Sequence, residues 1–181
     1  VDFDPGAGVN NLTAAGAADV FVWKLSSAGT YVWAKSFGGA NSDVGFGLAV
    51  DLSGNVFTAG DFNGTVDFDP GVGTATLASV AANADAFISK LDVNGNYLWA
   101  SAISGTNTQT ARDLDLGVAG NTVYVFGNYT GVTDFDPGVG TATLTDAGSS
   151  DLFLCALTAT AGSYLWCAGT GTNAAETAYR A

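Results

Sequence analysis

One segment recurs three times along this chain, and the recurrence constrains the fold more than any other feature. Trp33, Trp99 and Trp166 fall 66 and 67 residues apart, and Asp2, Asp67 and Asp134 fall 65 and 67 apart. Around the tryptophans, DVFVWKLSSAGTYVWA, DAFISKLDVNGNYLWA and DLFLCALTATAGSYLWCA align, the last with one inserted residue. A fixed period of this length makes each copy one supersecondary unit that buries its apolar faces against its neighbours. The expected units are residues 1–65, 66–132 and an incomplete 133–181, all within one repeat domain.

The content of the unit follows from its apolar runs. In the first copy, strands are predicted near residues 20–25, 31–37, 47–52 and 56–60, four to a unit. Glycine at 25 positions and 21 Phe, Tyr and Trp residues, with abundant Val and Thr, favour short strands and tight turns over helices. DLSGN at 51–55 and DVNGN at 92–96 each place a glycine where a hairpin loop needs a left-handed residue. Phe21, Trp23 and Leu25 alternate with Val20 and Val22, so both faces of that strand are apolar, as sheets stacked between sheets require. The expected fold is all-β: antiparallel four-stranded blades of a β-propeller, about 2.7 blades of roughly 66 residues.

Five Lys and Arg against 17 Asp and Glu give a formal charge of −12. A nucleic-acid partner is excluded on that balance, because phosphate binding needs clustered cations. No apolar run reaches the roughly 18 to 20 residues of a membrane-spanning helix. Such a surface attracts cations instead.

The hexapeptide VDFDPG at 1–6 recurs at 66–71, and as TDFDPG at 133–138. In extended chain, residues i and i+2 share a face, so Asp67 and Asp69 point together while Phe68 points towards the interior. Pro70 holds Asp69 extended, and Gly71 is expected to supply the positive φ of a type II turn. Backbone geometry does not require two adjacent carboxylates, whose repulsion a Ca²⁺ ion would relieve. Upstream oxygen donors recur in GDFNGT and GNYTGV. The expectation is one Ca²⁺ per blade, held by Asp67 and Asp69 with Asp61 or Asn63, and by Asp134 and Asp136 with Asn128. Asp2 and Asp4 would form a part-site completed by a partner chain. The alternative is that these carboxylates cap turns through hydrogen bonds to the backbone.

Cys155 and Cys167 fall on paired strands of the third copy. A turn centred on Ala161 sets them opposite one another, as a cross-strand disulfide or as two buried thiols. Sequons at Asn11, Asn63 and Asn128 are expected to lie exposed. Without histidine the usual general-base arrangements are impossible, and acid pairs repeated in every unit are not what a single active site needs. No enzymatic activity is expected. The three repeat tryptophans sit mid-strand among apolar neighbours and are expected to pack in the core.

DVFVWKLSSAGTYVWAKSFGG followed by GLAVDLSGNVFTAGDF resembles the bacterial β-propeller repeats of the SBBP type, found in long secreted and cell-surface proteins. The likeness extends over essentially the whole chain, with the pattern blurred at ARDLDLGVAGNTVYVFG. It implies a fold and an extracellular or cell-surface location, and no assigned activity. Propellers close with four to eight blades, so a lone chain of this length is expected to meet either further blades of a longer polypeptide or copies of itself, head to tail. A non-catalytic structural or assembly protein, building a surface layer, appendage or filament, is the expected function. The alternative is a propeller module that binds glycans or proteins.

Overall fold

The computed structural model describes residues 1–172 and 174–178, and among them it contains strands and no helix. The fourteen strands are β1 (Val20–Leu25), β2 (Tyr31–Gly39), β3 (Val44–Val50), β4 (Val56–Asn63), β5 (Thr65–Asp67), β6 (Thr76–Ala78), β7 (Ala84–Leu91), β8 (Tyr97–Gly105), β9 (Gln109–Leu116), β10 (Thr122–Tyr129), β11 (Val132–Asp134), β12 (Thr143–Thr145), β13 (Asp151–Thr158) and β14 (Tyr164–Thr170). They form three antiparallel sheets. The N-terminal sheet has the order β1-β2-β5-β6, the central sheet β12-β11-β8-β7-β4-β3, and the C-terminal sheet β14-β13-β10-β9.

The sheets are out of phase with the sequence repeats. The central sheet takes β3 and β4 from the first repeat and β7 and β8 from the second. The short hairpin β5–β6 between β4 and β7 folds back onto β2, which leaves β4 free to pair with β7 over eight residues, from Val56↔Leu91 to Asn63↔Ala84. A four-stranded blade is therefore the second half of one repeat with the first half of the next. β3 begins at Val44, earlier than the apolar pattern indicated, because a register shift between Gly45 and Gly47 carries the pairing through the bulge. The blurred segment of the second repeat also forms strands, β9 and β10.

The hairpin turns follow the sequence. Gly54 and Gly95 both have φ of 80°, and Asp51 and Asp92 each accept two backbone N–H groups and one Asn side-chain amide to close the loop.

Two apolar clusters join the sheets. Val20, Val22, Trp33, Phe37, Phe62, Phe68 and Phe87 lie between the N-terminal and central sheets, and Phe57, Trp99, Leu114, Phe135, Phe153 and Leu157 between the central and C-terminal sheets. β7 is buried along almost its whole length, as a strand covered on both faces should be. β1 is its counterpart in the N-terminal sheet, but it buries only Val20 and Val22 and leaves Phe21, Trp23 and Leu25 exposed.

Candidate functional site

The DFDPG loop closes on its own carboxylates. Asp67 Oδ1 accepts the backbone N–H groups of Asp69 (3.0 Å) and Ala75 (2.8 Å), and Asp69 Oδ1 accepts that of Gly71 (2.7 Å). The same bonds recur in the third repeat, with Asp134 accepting from Asp136 and Ala142 and Asp136 from Gly138. In the first they run to Asp2 from Asp4 and Asn10, and to Asp4 from Gly6. These are turn-capping bonds that pin the β5–β6 and β11–β12 connections. Gly71 does not take the positive φ expected of a type II turn. Its lack of a side chain serves close approach instead, since a Cβ there would lie 2.9 Å from Asp69 Oδ1, and one on Gly73 would collide with Oδ2 of the same carboxylate. The functional motif is therefore DFDPG-x-G.

The second and third of these loops also bridge two sheets. β5 pairs with the end of β2 through Gly38↔Asp67 and Gly39↔Val66, and β11 with the end of β8 through Ser104↔Asp134 and Gly105↔Thr133. The intervening phenylalanine enters the following sheet: Phe68 and Phe87 rings lie 5.2 Å apart, Phe135 and Phe153 5.2 Å, and Phe3 and Phe21 5.0 Å. Hydrogen bonds hold the loop to one blade and an aromatic contact holds it to the next.

The expected upstream ligands are placed elsewhere. Asp61 on β4 points towards the C-terminal sheet, where its Oδ2 accepts the Thr110 hydroxyl (3.1 Å), whereas Asp67 lies in the N-terminal sheet, paired with Gly38 of β2 and Thr76 of β6. Asn63 accepts from Asn41 and donates to the Ala82 carbonyl. Asn128 donates to Ser150 and to the Glu176 carbonyl and accepts the N–H of Ala178, pinning 176–178 against β10. That sequon asparagine is buried, contrary to expectation. Among the described residues, no three or more His, Cys, Asp or Glu are gathered as a metal would need.

Burial raises the Asp61 pKa, the Thr110 hydrogen bond and the Arg112 charge oppose it, and Asp43 adds to the rise. A carboxyl whose folded pKa is raised contributes its stability below the ordinary value of 3.8 and loses it as pH climbs through the folded value. Asn128 occupies the corresponding place in the next repeat, so asparagine fits. We expect Asp61→Asn to match the parent in thermal melting near pH 3 and to exceed it at pH 7. A variant less stable than the parent at pH 7 would contradict this.

A second recurring contact joins successive sheets. Trp33 Nε1 and Lys24 Nζ both donate to the Val93 carbonyl (3.1 and 2.8 Å), and Trp99 Nε1 and Lys90 Nζ both donate to the Ala159 carbonyl (3.3 and 3.0 Å). Each acceptor lies in the hairpin turn of the following sheet. The tryptophan spacing signals this contact, but the acceptors are backbone carbonyls with no sequence signature. Trp166, expected in the core, is instead 43% exposed, against 8% for Trp33 and Trp99.

Cys155 and Cys167 stand directly opposite across β13 and β14, with Cα atoms 4.1 Å apart, and form a disulfide. Closing a loop of this length stabilises by about 3 kcal/mol in the chain-entropy picture. Reduction is expected to lower the urea-unfolding free energy by about that amount, and an unchanged unfolding curve in dithiothreitol would count against it.

Residues 32–66, from β2 through β5, match the beta-propeller repeat family SBBP. An uncharacterized WD repeat-containing protein of Acanthamoeba polyphaga mimivirus is 32% identical over 123 residues, covering 66% of this chain. The aligned chain spans only 9% of that protein's length. With sheets clasped one to the next and an SBBP match within the first repeat, the chain is a repeat-containing β-propeller module.

Proposed function

We propose that the chain is a non-catalytic structural module of an extracellular or cell-surface assembly. The observation that carries this is how the recurring residues are used. The Asp and Phe of DFDPG, the tryptophan with its lysine, and the turn glycines all hold one blade to the next, in each junction in the same way. The disulfide supports an oxidising compartment, where such bonds persist, and the charge of −12 supports a soluble, highly hydrated surface.

A labelled sample on a glycan array tests the reading against glycan recognition. The structural role predicts no saturable binding. A saturable glycan that quenches tryptophan emission would overturn it in favour of a recognition module. Calcium belongs to the same test. Since the loops close through backbone N–H groups, we expect the melting temperature in millimolar Ca²⁺ to equal that in chelator. A calcium-dependent rise of several degrees would assign the Asp67–Asp69 and Asp134–Asp136 pairs to metal.

A further inference from the structure

The chain contains two Asn-Gly bonds, at Asn63-Gly64 and Asn94-Gly95. At such a bond the glycine nitrogen can reach the asparagine Cγ, because glycine brings no side chain to obstruct the approach. The fold treats the two bonds differently. Asn63 Oδ1 accepts from Asn41 Nδ2 (3.1 Å), Asn63 Nδ2 donates to the Ala82 carbonyl (3.1 Å), and the Gly64 N–H donates to Ser79 Oγ (2.8 Å). Every group that would have to react there is held. Asn94 is exposed in the turn between β7 and β8, and its carboxamide makes no hydrogen bond. Of its reacting groups only the Gly95 N–H is engaged, with the Asp92 carbonyl (2.9 Å). The matching residues of the first and third repeats, Ala28 and Ala161, are exposed as well, so the exposure belongs to this turn position.

The geometry points to Asn94 as a site of spontaneous deamidation, placed where its product loosens the junction between the N-terminal and central sheets. The Gly95 nitrogen gives up its proton and bonds to Asn94 Cγ. The Cγ–Nδ2 bond breaks and ammonia leaves, closing a succinimide ring. Water then opens the ring at either carbonyl. One opening leaves an aspartyl residue at position 94, and the other leaves an isoaspartyl residue, whose main chain runs through Cγ and is one methylene longer. The lengthened segment lies between Val93, whose carbonyl accepts Trp33 Nε1 and Lys24 Nζ, and Gly95. A Cβ on Gly95 would come 3.2 Å from the Trp33 ring and 3.0 Å from Lys35 Cγ, so the turn is packed closely on the preceding sheet. An inserted methylene at such a contact displaces one side or the other. Both products also place a new carboxylate two residues from Asp92, in a chain already at −12. The change is slow and one-way, and water is its only co-reactant. The Gly162 turn, which follows Ala161, cannot undergo it.

Peptide mapping of the folded chain, held in mildly alkaline buffer and sampled over time, tests it. Trypsin separates the two bonds, since cleavage after Lys35, Lys90 and Arg112 puts Asn63 in 36–90 and Asn94 in 91–112. The expected result is an amide-to-acid mass gain at Asn94, with an isoaspartyl isomer resolved by chromatography, at a rate at least about tenfold above that at Asn63. In urea, where no fold holds Asn63, the two bonds should react at similar rates. Asn94→Ala installs the residue used at 28 and 161. It should keep its melting temperature through the incubation, while that of the parent falls as the isoaspartyl form accumulates. Equal rates at Asn63 and Asn94 in the folded chain, or an Asn94 that reacts only in urea, overturns the site. Deamidation at Asn94 with an unchanged melting temperature overturns its placement at the junction. The inference stands apart from the structural-module reading, which the glycan array tests.

Discussion

Phe68→Ala is expected to cost about 3–5 kcal/mol, the usual range for truncating a fully buried phenylalanine. Phe68 has no exposed surface, and its ring lies within 5.5 Å of those of Phe37, Phe62 and Phe87. Those rings come from β2, β4 and β7, so the residue sits where the N-terminal and central sheets meet. A cavity there cannot collapse without moving both sheets. For a chain of this size the loss corresponds to a fall of roughly 6–20 °C in melting temperature. Phe3→Ala makes the same deletion in the first loop, where the ring is half-buried and its aromatic neighbours Phe21 and Trp23 are exposed. Its effect should be under about 1 kcal/mol, as for substitutions at the surface. Equal effects in the two variants would contradict the role of Phe68 as a clasp between sheets.

Trp99→Ala is expected to cost a similar amount, about 3–5 kcal/mol. The substitution removes a ring that packs edge-on against Phe57 at 6.0 Å and underlies the Gly162 turn. It also removes one of the two donors to the Ala159 carbonyl, leaving Lys90 as the other. Burial of that ammonium is tolerated because it bonds the carbonyl, lies 3.6 Å from Asp51 and stacks over Phe57. Trp166→Ala removes the same residue type from a position that is 43% exposed beside the Tyr124 ring, and should cost under about 1 kcal/mol. Urea unfolding of both variants measures the difference directly. Losses of the same size would mean that Trp99 does not act through the junction.

Much of this was legible in the sequence, and the parts that were not share a physical cause. β1 and β4 follow from apolar runs, and the turns at Gly54 and Gly95 follow from the need for positive φ. The direct opposition of Cys155 and Cys167 follows from counting across one hairpin. The pairing partners were not legible, because a repeat fixes the period of a structure and leaves its phase open. β4 can pair with β7 only because three-residue strands too short to show alternation fold back onto β2. The acids of DFDPG raised two readings that composition could not separate. In the structure neighbouring backbone N–H groups point at Asp67, Asp69, Asp134 and Asp136, a direction that a sequence does not carry. Asp61 and Asn128 looked like donors to the nearby loops because they are close in sequence. On strands, closeness along the chain says little about which sheet a side chain faces.

A crystal structure of the chain grown in millimolar calcium tests the clasp most directly. We expect Asp67, Asp134 and Asp2 to accept the backbone N–H groups seen here, with Phe68 and Phe135 buried between successive sheets and no ion at the carboxylates. Carboxylates turned outward onto bound calcium, or loops detached from β2 and β8, would contradict it.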